Sequence, residues 1–550
     1  MAIGDEPVMR TGRTIDRRVS AGVVALAAIA ILFGGALAGL LTEAASNWSG
    51  AVAAFDGYMT RVVRFTLWQA ALSTVLSVLP AIAVARALSR HPAFPGRGLI
   101  LRLFAIPLAL PAIVAALGVL ALYGRAGYFA GIFSSLSGQT WPGAYGLSGI
   151  LVAHVFFNLP LATRLFVEAL DTVPADQWRL ASQLGMRAGP SFRFVEWPVI
   201  RAALPGVAGL IFMLCITSFT IVLTLGGGPR ATTLEVAIYQ ALRFDFDPAR
   251  AVALTALQIL LTAVVVAVLA RLGANVVGDA NLSVASPRVR DATRTETLLN
   301  SLVIALALLF VAAPMLATVL AGLQADLGRL AGESAVLTAT ATSLVLAILA
   351  ALLSALLSLS LVMARRALQL QRRAGQPTLL ERLTDTGAGF VLVVPSIVIG
   401  AGWFILLRHT GDVFLLAPLM VVTVNAVMAM PFAVRAIRPA YDAASERHEK
   451  LCTLLGIAGR DRFRLIDWPA LRRPLFTALA FAMALSLGDL GIIALFGSDA
   501  VQTLPYLLLA RMGSYRTADA AGLALMLGLL CLALITLADR LGRYRYDRYD

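Results

Sequence analysis

Few residues in this chain could do covalent chemistry, and their spacing rules most of them out. A phosphate-cradling loop of the GxxxxGK[ST] kind needs a lysine directly after a glycine, whereas the sole lysine, Lys450, follows Glu449. The chain therefore carries no such nucleotide loop. Cys215, Cys452 and Cys531 show no CxxC spacing, which supports neither a disulfide framework nor a zinc site. His91, His154, His409 and His448 stand apart with no HExxH pattern, so no metal site is expected. No paired carboxylates or nucleophile elbow fall in the apolar stretches, and no catalytic residue is assigned. What remains is a single acid, Asp489, inside an otherwise apolar run, where a charge costs about 2.5–3.5 kcal/mol on insertion scales.

The elements that must position such a residue follow from composition. Hydrophobic residues make up 59% of the chain and charged residues 14%, well outside soluble usage. Runs such as Val19 to Leu41, Leu299 to Leu320 and Ala335 to Ala364 meet the roughly 20 apolar residues that one bilayer crossing needs. Apolar runs bounded by polar or Pro/Gly breaks predict about twelve spans, near 19–42, 62–85, 99–123, 146–168, 202–226, 249–271, 297–322, 335–364, 387–407, 413–434, 473–497 and 518–538. The first lacks a clear cleavage site and is read as a retained anchor. Most of the 45 basic residues fall on the side shared by both termini, in clusters from Arg10 to Arg18, Arg86 to Arg102, Arg164 to Arg201, Arg271 to Arg294, Arg365 to Arg382, Arg435 to Arg473 and Arg540 to Arg548. The positive-inside rule makes that face, and both termini, cytoplasmic. The net charge of +14 is dispersed between spans, with no basic patch interleaved with aromatics, so no nucleic acid partner is expected.

The chain also repeats itself. Pro160/Pro431, Arg164/Arg435, Asp171/Asp442, Gly185/Gly456, Phe192/Phe463, Arg193/Arg464, Trp197/Trp468, Pro198/Pro469, Arg201/Arg472 and Gly226/Gly497 are identical at a constant offset of 271. Each copy lies between the fourth and fifth span of its half. The expected fold is all-α: a polytopic membrane protein with two parallel six-helix halves, residues 1–285 and 286–550, related by an axis along the membrane normal. The offset pairs Asp489 with Ser218, flanked by Thr217 and Thr220. Two readings of Asp489 stay open: a hydrogen-bonded packing group near a helix end, or a polar group on a translocation path with Thr217, Ser218 and Thr220.

The repeated loops, about 169–201 and 440–472, are too patterned for linkers. Pro174 opens a helix through Trp178 to Leu184, Gly185 interrupts it, and Trp197-Pro198 leads into the next span. The second copy is expected to repeat this around Glu446 to Leu455, Gly456 and Trp468-Pro469. A helix–Gly–helix elbow with exposed charges and Phe192 or Phe463 suits docking into a partner's groove. Gly followed thirteen residues later by Pro, with Val195 or Ile466 at the tenth place, resembles the EAA loop of binding-protein-dependent ABC importer permeases. In that family the loops couple to cytoplasmic ATPase subunits. The resemblance assigns coupling to Gly185, Phe192, Pro198, Gly456, Phe463 and Pro469. Arg179-Leu180-Ala181 and Lys450-Leu451-Cys452 stand where Glu-Ala-Ala is usual, leaving Asp176, Glu446 or Glu449 to supply the acid.

Longer segments sharpen the resemblance. Thr224 to Glu235, Asp245 to Arg250 and Gly488 to Asp499 are similar to the thiamine ABC transporter permeases, with fused ferric-iron permeases sharing the twelve-span plan. The resemblance implies a type I importer permease of a bacterial inner membrane. It implies import of thiamine and its phosphate esters, two copies of an ABC ATPase carrying ATP and Mg, a periplasmic thiamine-binding protein and contact with membrane lipid. It also turns the outer charges Arg230, Arg243, Asp245, Asp247, Arg250, Asp499, Arg511, Arg516 and Asp519 toward the binding protein. Leu136-Ser137-Gly138-Gln139 is similar to the signature of such ATPases but falls on the outer face, and is taken as coincidence. A rival from another class is an ion-coupled secondary transporter, which would need no elbow loops.

Overall fold

The computed structural model describes residues 17–90, 96–272, 293–372, 376–389, 394–408, 411, 413–457, 459–498 and 501–543. His91, His409, Asp499 and the expected junction between halves at 285/286 lie outside the described residues. No strand forms among those described, beyond one isolated bridge between Ser498 and Val501.

Among the described residues, eleven helices are long and apolar enough to cross a membrane: Arg17–Ser46, Gly57–Arg90, Ala112–Ser137, Leu147–Asp171, Ala188–Ile216, Pro248–Arg271, Arg294–Leu323, Ser334–Gln371, Ala417–Leu454, Gly459–Gly488 and Thr517–Leu537. A twelfth apolar helix, Ser396–Arg408, has 13 residues, about 20 Å at 1.5 Å per residue. It stands ninth in order, so the chain keeps the expected twelve-part plan, and the parts are numbered below as spans one to twelve.

The third and ninth parts depart from expectation. Instead of one helix over 99–123, the chain forms Arg97–Leu103, Ile106–Ala109 and Ala112–Tyr123. Pro107 and Pro111 explain it, since a proline lacks a donor and pushes the residue before it out of the helical region. Pro395 precedes the ninth span just as Pro111 precedes the third. After Tyr123 the first half adds a helix, Tyr128–Ser137, ended by Gly138 at φ 67°.

The halves exchange their first helices. The first span packs against the eighth and ninth spans of the second half, and the seventh packs against the second and third spans of the first half. In lipid no hydrophobic force drives helices together, so close backbone approach and hydrogen bonds must do it. At the first crossing a Cβ on Gly402 would overlap the Ala36 carbonyl oxygen, the Trp403 indole donates to the Leu32 carbonyl at 2.7 Å, and Arg408 pairs with buried Glu43 at 2.7 Å. At the second, a Cβ on Gly118 would overlap Thr318 and the Pro314 carbonyl.

Candidate functional site

Each elbow joins the fourth part of its half to the fifth. In the first, the fourth span ends at Asp171, a helix covers Ala175–Gln183, Gly185 turns the chain at φ 62°, and Ala188–Ser191 leads through a π-turn, Phe192–Glu196, into the fifth span at Trp197. In the second, Gly456 turns at φ 64°, and Gly459–Arg462 and the π-turn Phe463–Asp467 lead to Trp468. The turns close alike, Met186 donating to the Ala181 carbonyl at 3.0 Å and Ile457 to that of Cys452 at 2.9 Å. Both glycines have open space around them, so only the left-handed backbone demands glycine. Pro198 and Pro469 occupy the first turn of the following helix, where a missing N–H costs nothing.

The copies differ where a single repeat plan was expected. The tenth span continues unbroken to Leu454, whereas the fourth span stops before Pro174. Ser445 holds the place of Pro174 and supplies the N–H that proline lacks.

Phe192 is not the outermost apolar group of its elbow. Arg86 lies 4.4 Å over its ring and Trp197 stacks at 5.8 Å, leaving it half-buried, while Phe463 stays exposed beside Trp468 at 6.2 Å. The repeat-related pairs Leu184 and Leu455, each 63% exposed, and Phe194 and Leu465, at 62% and 63%, project further, as does Leu454 at 83%. Leu184 and Leu455 cap the helices that enter the glycine turns, Phe194 and Leu465 lie in the π-turns, and only the structure gives which way each side chain points.

Each π-turn ends in a buried acid. Glu196 accepts from Arg86 Nε at 2.7 Å and Arg90 Nε at 2.8 Å, and both guanidiniums also donate to the Ala188 carbonyl, at 3.1 and 3.2 Å. Its counterpart Asp467 lies 3.8 Å from Arg462, which is instead held by Glu449 at 2.7 and 2.8 Å. Of the three acids considered for the missing motif glutamate, Glu449 thus makes the close pair. Asp176 pairs with Arg179 at the surface at 3.2 Å, and Glu446 lies 3.6 Å from Arg366.

The fifth and eleventh spans do not run on to 226 and 497 as expected; each breaks part-way. The fifth stops at Ile216 and resumes as Thr220–Leu225, and the eleventh stops at Gly488 and resumes as Gly491–Phe496. Short polar side chains explain this by competing for backbone partners. Thr217 Oγ1 bonds back to the Met213 carbonyl at 2.9 Å, and the Asp489 carboxylate accepts from the N–H groups of Gly491 and Ile492 at 3.2 and 3.3 Å. Asp489 is therefore a helix-breaking cap and not a residue within a continuous span.

Equivalent positions on the preceding spans serve the two breaks. His154 Nε2 lies 2.9 Å from Ser218 Oγ while its Nδ1 lies 3.0 Å from Ser73 Oγ, and Asn425 approaches Asp489 and donates to Ser486 at 3.1 Å. His154 and Asn425 are themselves related by the repeat offset. The breaks also meet across the halves: a Cβ on Gly491 would sit 3.1 Å from Ser396 Oγ, 3.5 Å from Asp489 and 3.9 Å from Phe219, and one on Gly488 3.1 Å from Pro111. Thr217, Ser218 and Thr220 are half-buried, and it is Phe219 that reaches the Asp489 turn. Of the charges expected on the outer side, Arg250 pairs within the chain with Asp56 at 3.5 Å and Arg516 with Asp519 at 2.7 Å.

Two helical halves that swap their first helices, break their fifth spans at a shared boundary and carry an elbow apiece make up a multi-pass membrane permease. The chain belongs to the family described as binding-protein-dependent transport system inner membrane component, which matches residues 81–290 and again 373–549. It is 60% identical over 530 residues to the thiamine transport system permease protein ThiP of Brucella abortus (strain 2308), covering 96% of each chain. It is 44% identical to ThiP of Escherichia coli (strain K12), over 88% of this chain and 90% of the relative, and 37% identical to that of Haemophilus influenzae (strain ATCC 51907 / DSM 11121 / KW20 / Rd), over 94% of each.

Proposed function

We propose that this chain is the permease of an ATP-binding cassette importer that carries thiamine and its phosphate esters across a bacterial inner membrane. The observation that carries the substrate is the end-to-end likeness to permeases named for thiamine transport, spanning 96% of both chains. Two copies of a cytoplasmic ATPase, holding ATP and Mg, seat on the elbows, one at Gly185, Phe192 and Pro198 and the other at Gly456, Phe463 and Pro469. A periplasmic thiamine-binding protein delivers substrate to the opposite face. This orientation places both termini in the cytoplasm, with lipid around the helices and the two halves joined near 285/286.

Nothing in such a cycle needs a covalent step in this chain. Closing the ATPases moves the elbows, and the halves rock about the boundary where the broken spans meet. Thr217, Ser218, Thr220 and Asp489 line the route there, with the Asp489 carboxylate facing the positive thiazolium ring of thiamine. Half-helix ends and unwound backbone at such a place supply polar contacts that intact helices withhold.

The test is uptake of labelled thiamine by cells lacking the chain and by the same cells with it restored. Restored uptake, blocked by excess thiamine and unaffected by ferric iron, is expected. Uptake of ferric iron instead, or thiamine uptake that persists without the partner ATPase, would overturn the reading.

A further inference from the structure

Glu235 is a buried acid without a partner. It is 2% exposed, and among the described residues it makes no hydrogen bond or ion pair, with Oε1 fully enclosed. It sits in the first turn of the helix Leu234–Arg243, which follows the broken fifth span and packs against the ninth span and Gly491–Phe496 of the other half. Arg243 ties the far end of that helix to the other half, donating to the Gly497 carbonyl at 3.0 Å and lying 5.3 Å over Phe414.

A buried carboxylate is costly to keep without a partner. Local folding does not require it: the second half builds the matching helix, Leu504–Gly513, with Pro505 in the same place. Both copies secure that helix by another device, Leu234 N–H donating to Thr66 Oγ1 at 3.1 Å and Leu504 N–H to Ser343 Oγ at 2.8 Å. Burial pushes the Glu235 carboxyl up to about 8, because a charge there loses its hydration.

Its helix face shows where it leads. Glu235 and Tyr239 are four residues apart and share one face. The Tyr239 ring packs edge-on against Phe219 at 5.4 Å, and Phe219 is the side chain that reaches the Asp489 turn. Carboxylate, two aromatic rings and carboxylate thus follow one another across the boundary between halves. Rings attract cations through their faces, most strongly when water is excluded.

We infer that Glu235 and Asp489 are the two ends of a track for an organic cation, lined by Tyr239 and Phe219 and closed when the halves meet. The identity of the cation rests on the thiamine reading above; the track does not.

Two readouts separate the inferences. In proteoliposomes holding the complete importer, Glu235→Gln should lower thiamine uptake per ATP hydrolysed roughly tenfold, the scale of one charge-assisted contact. ATP hydrolysis stimulated by the binding protein should persist, and Glu235→Asp should restore part of the uptake. Normal uptake per ATP in Glu235→Gln, or a parallel fall of uptake and hydrolysis, would overturn the track. Independently of substrate, a Thr220→Cys variant of the importer during turnover should react faster with a positively charged methanethiosulfonate than with a negatively charged one, and Glu235→Gln should erase most of that preference. An importer with Glu235 intact that imports no thiamine, while its Thr220→Cys form shows this preference, would sink the substrate and leave the track standing. A preference that is absent, or unmoved by Glu235→Gln, would sink the track.

Discussion

In the first elbow the acid of the π-turn, Glu196, is gripped by Arg86 and Arg90 of the second span, Arg86 being 110 residues away in sequence. In the second, the matching acid Asp467 lies 3.8 Å from Arg462 and also faces the charge of Arg18 on the first span, while Arg462 is held closely by Glu449, 13 residues before it. The eighth span still contributes two arginines, but Arg365 reaches Asp442 at 3.0 Å and Arg366 reaches Ser445 at 3.2 Å, both on the tenth span. One backbone plan is therefore fastened in two ways. Both elbows are tied at their entrances, Arg97 to Asp171 and Arg365 to Asp442, each at 3.0 Å, but the exit acid is gripped by two arginines of a membrane span in the first elbow, whereas the second is stiffened chiefly by its own Arg462–Glu449 pair. Repeated shape does not demand repeated side chains, because any arrangement that satisfies the buried charges will hold the turn.

The largest effect should come from cutting the first fastening. Glu196→Ala strands two arginines and should destabilise the detergent-solubilised protein by about 3 kcal/mol, the lower end for a broken buried pair because Arg86 is partly exposed. Thermal unfolding measures it. Next, Leu184→Asp and Leu455→Asp should each weaken ATPase binding by about 2 kcal/mol, a typical hot-spot loss, with unchanged unfolding temperature. Unequal losses would show that the elbows dock differently and not merely that they are held differently. Asp467→Ala should cost only about 1 kcal/mol, since Arg462 keeps Glu449. A cost equal to that of Glu196→Ala would erase the contrast. The smallest change belongs to Pro174→Ser, which gives the first elbow the residue of the second; it should shift stability by under about 1 kcal/mol and raise helix content slightly.

Much of this was legible in the sequence, for physical reasons. Apolar runs as long as a bilayer is thick marked the spans, and the constant offset of 271 between pairs such as Trp197 and Trp468 gave the two halves and both elbows. Asp489 was visible as a charge in hydrocarbon. The breaks at 217–219 and 489–490 were not, because a hydropathy window averages a threonine, a serine or one acid into its apolar neighbours. Pro107, Pro111 and Pro395 carried the signal for the split third span and the short ninth one, and hydropathy outweighed it. Leu184, Leu455, Phe194 and Leu465 were missed since periodicity fails at helix ends and in turns of a few residues. Glu235 was read only as part of a longer motif, although an acid beside Leu234 and Val236 at the start of an apolar helix was a signal in itself.

The most direct test of the central claim, that the two elbows couple a partner ATPase to thiamine movement, is labelled thiamine uptake by cells carrying either the intact chain or the double variant Gly185→Asp/Gly456→Asp, at matched membrane levels. Both glycines have open space around them, and the left-handed backbone costs an aspartate only about 1–2 kcal/mol at each turn, so the variant should still fold and insert. The account predicts uptake lost in the variant with protein level unchanged; equal uptake by the two chains would contradict it.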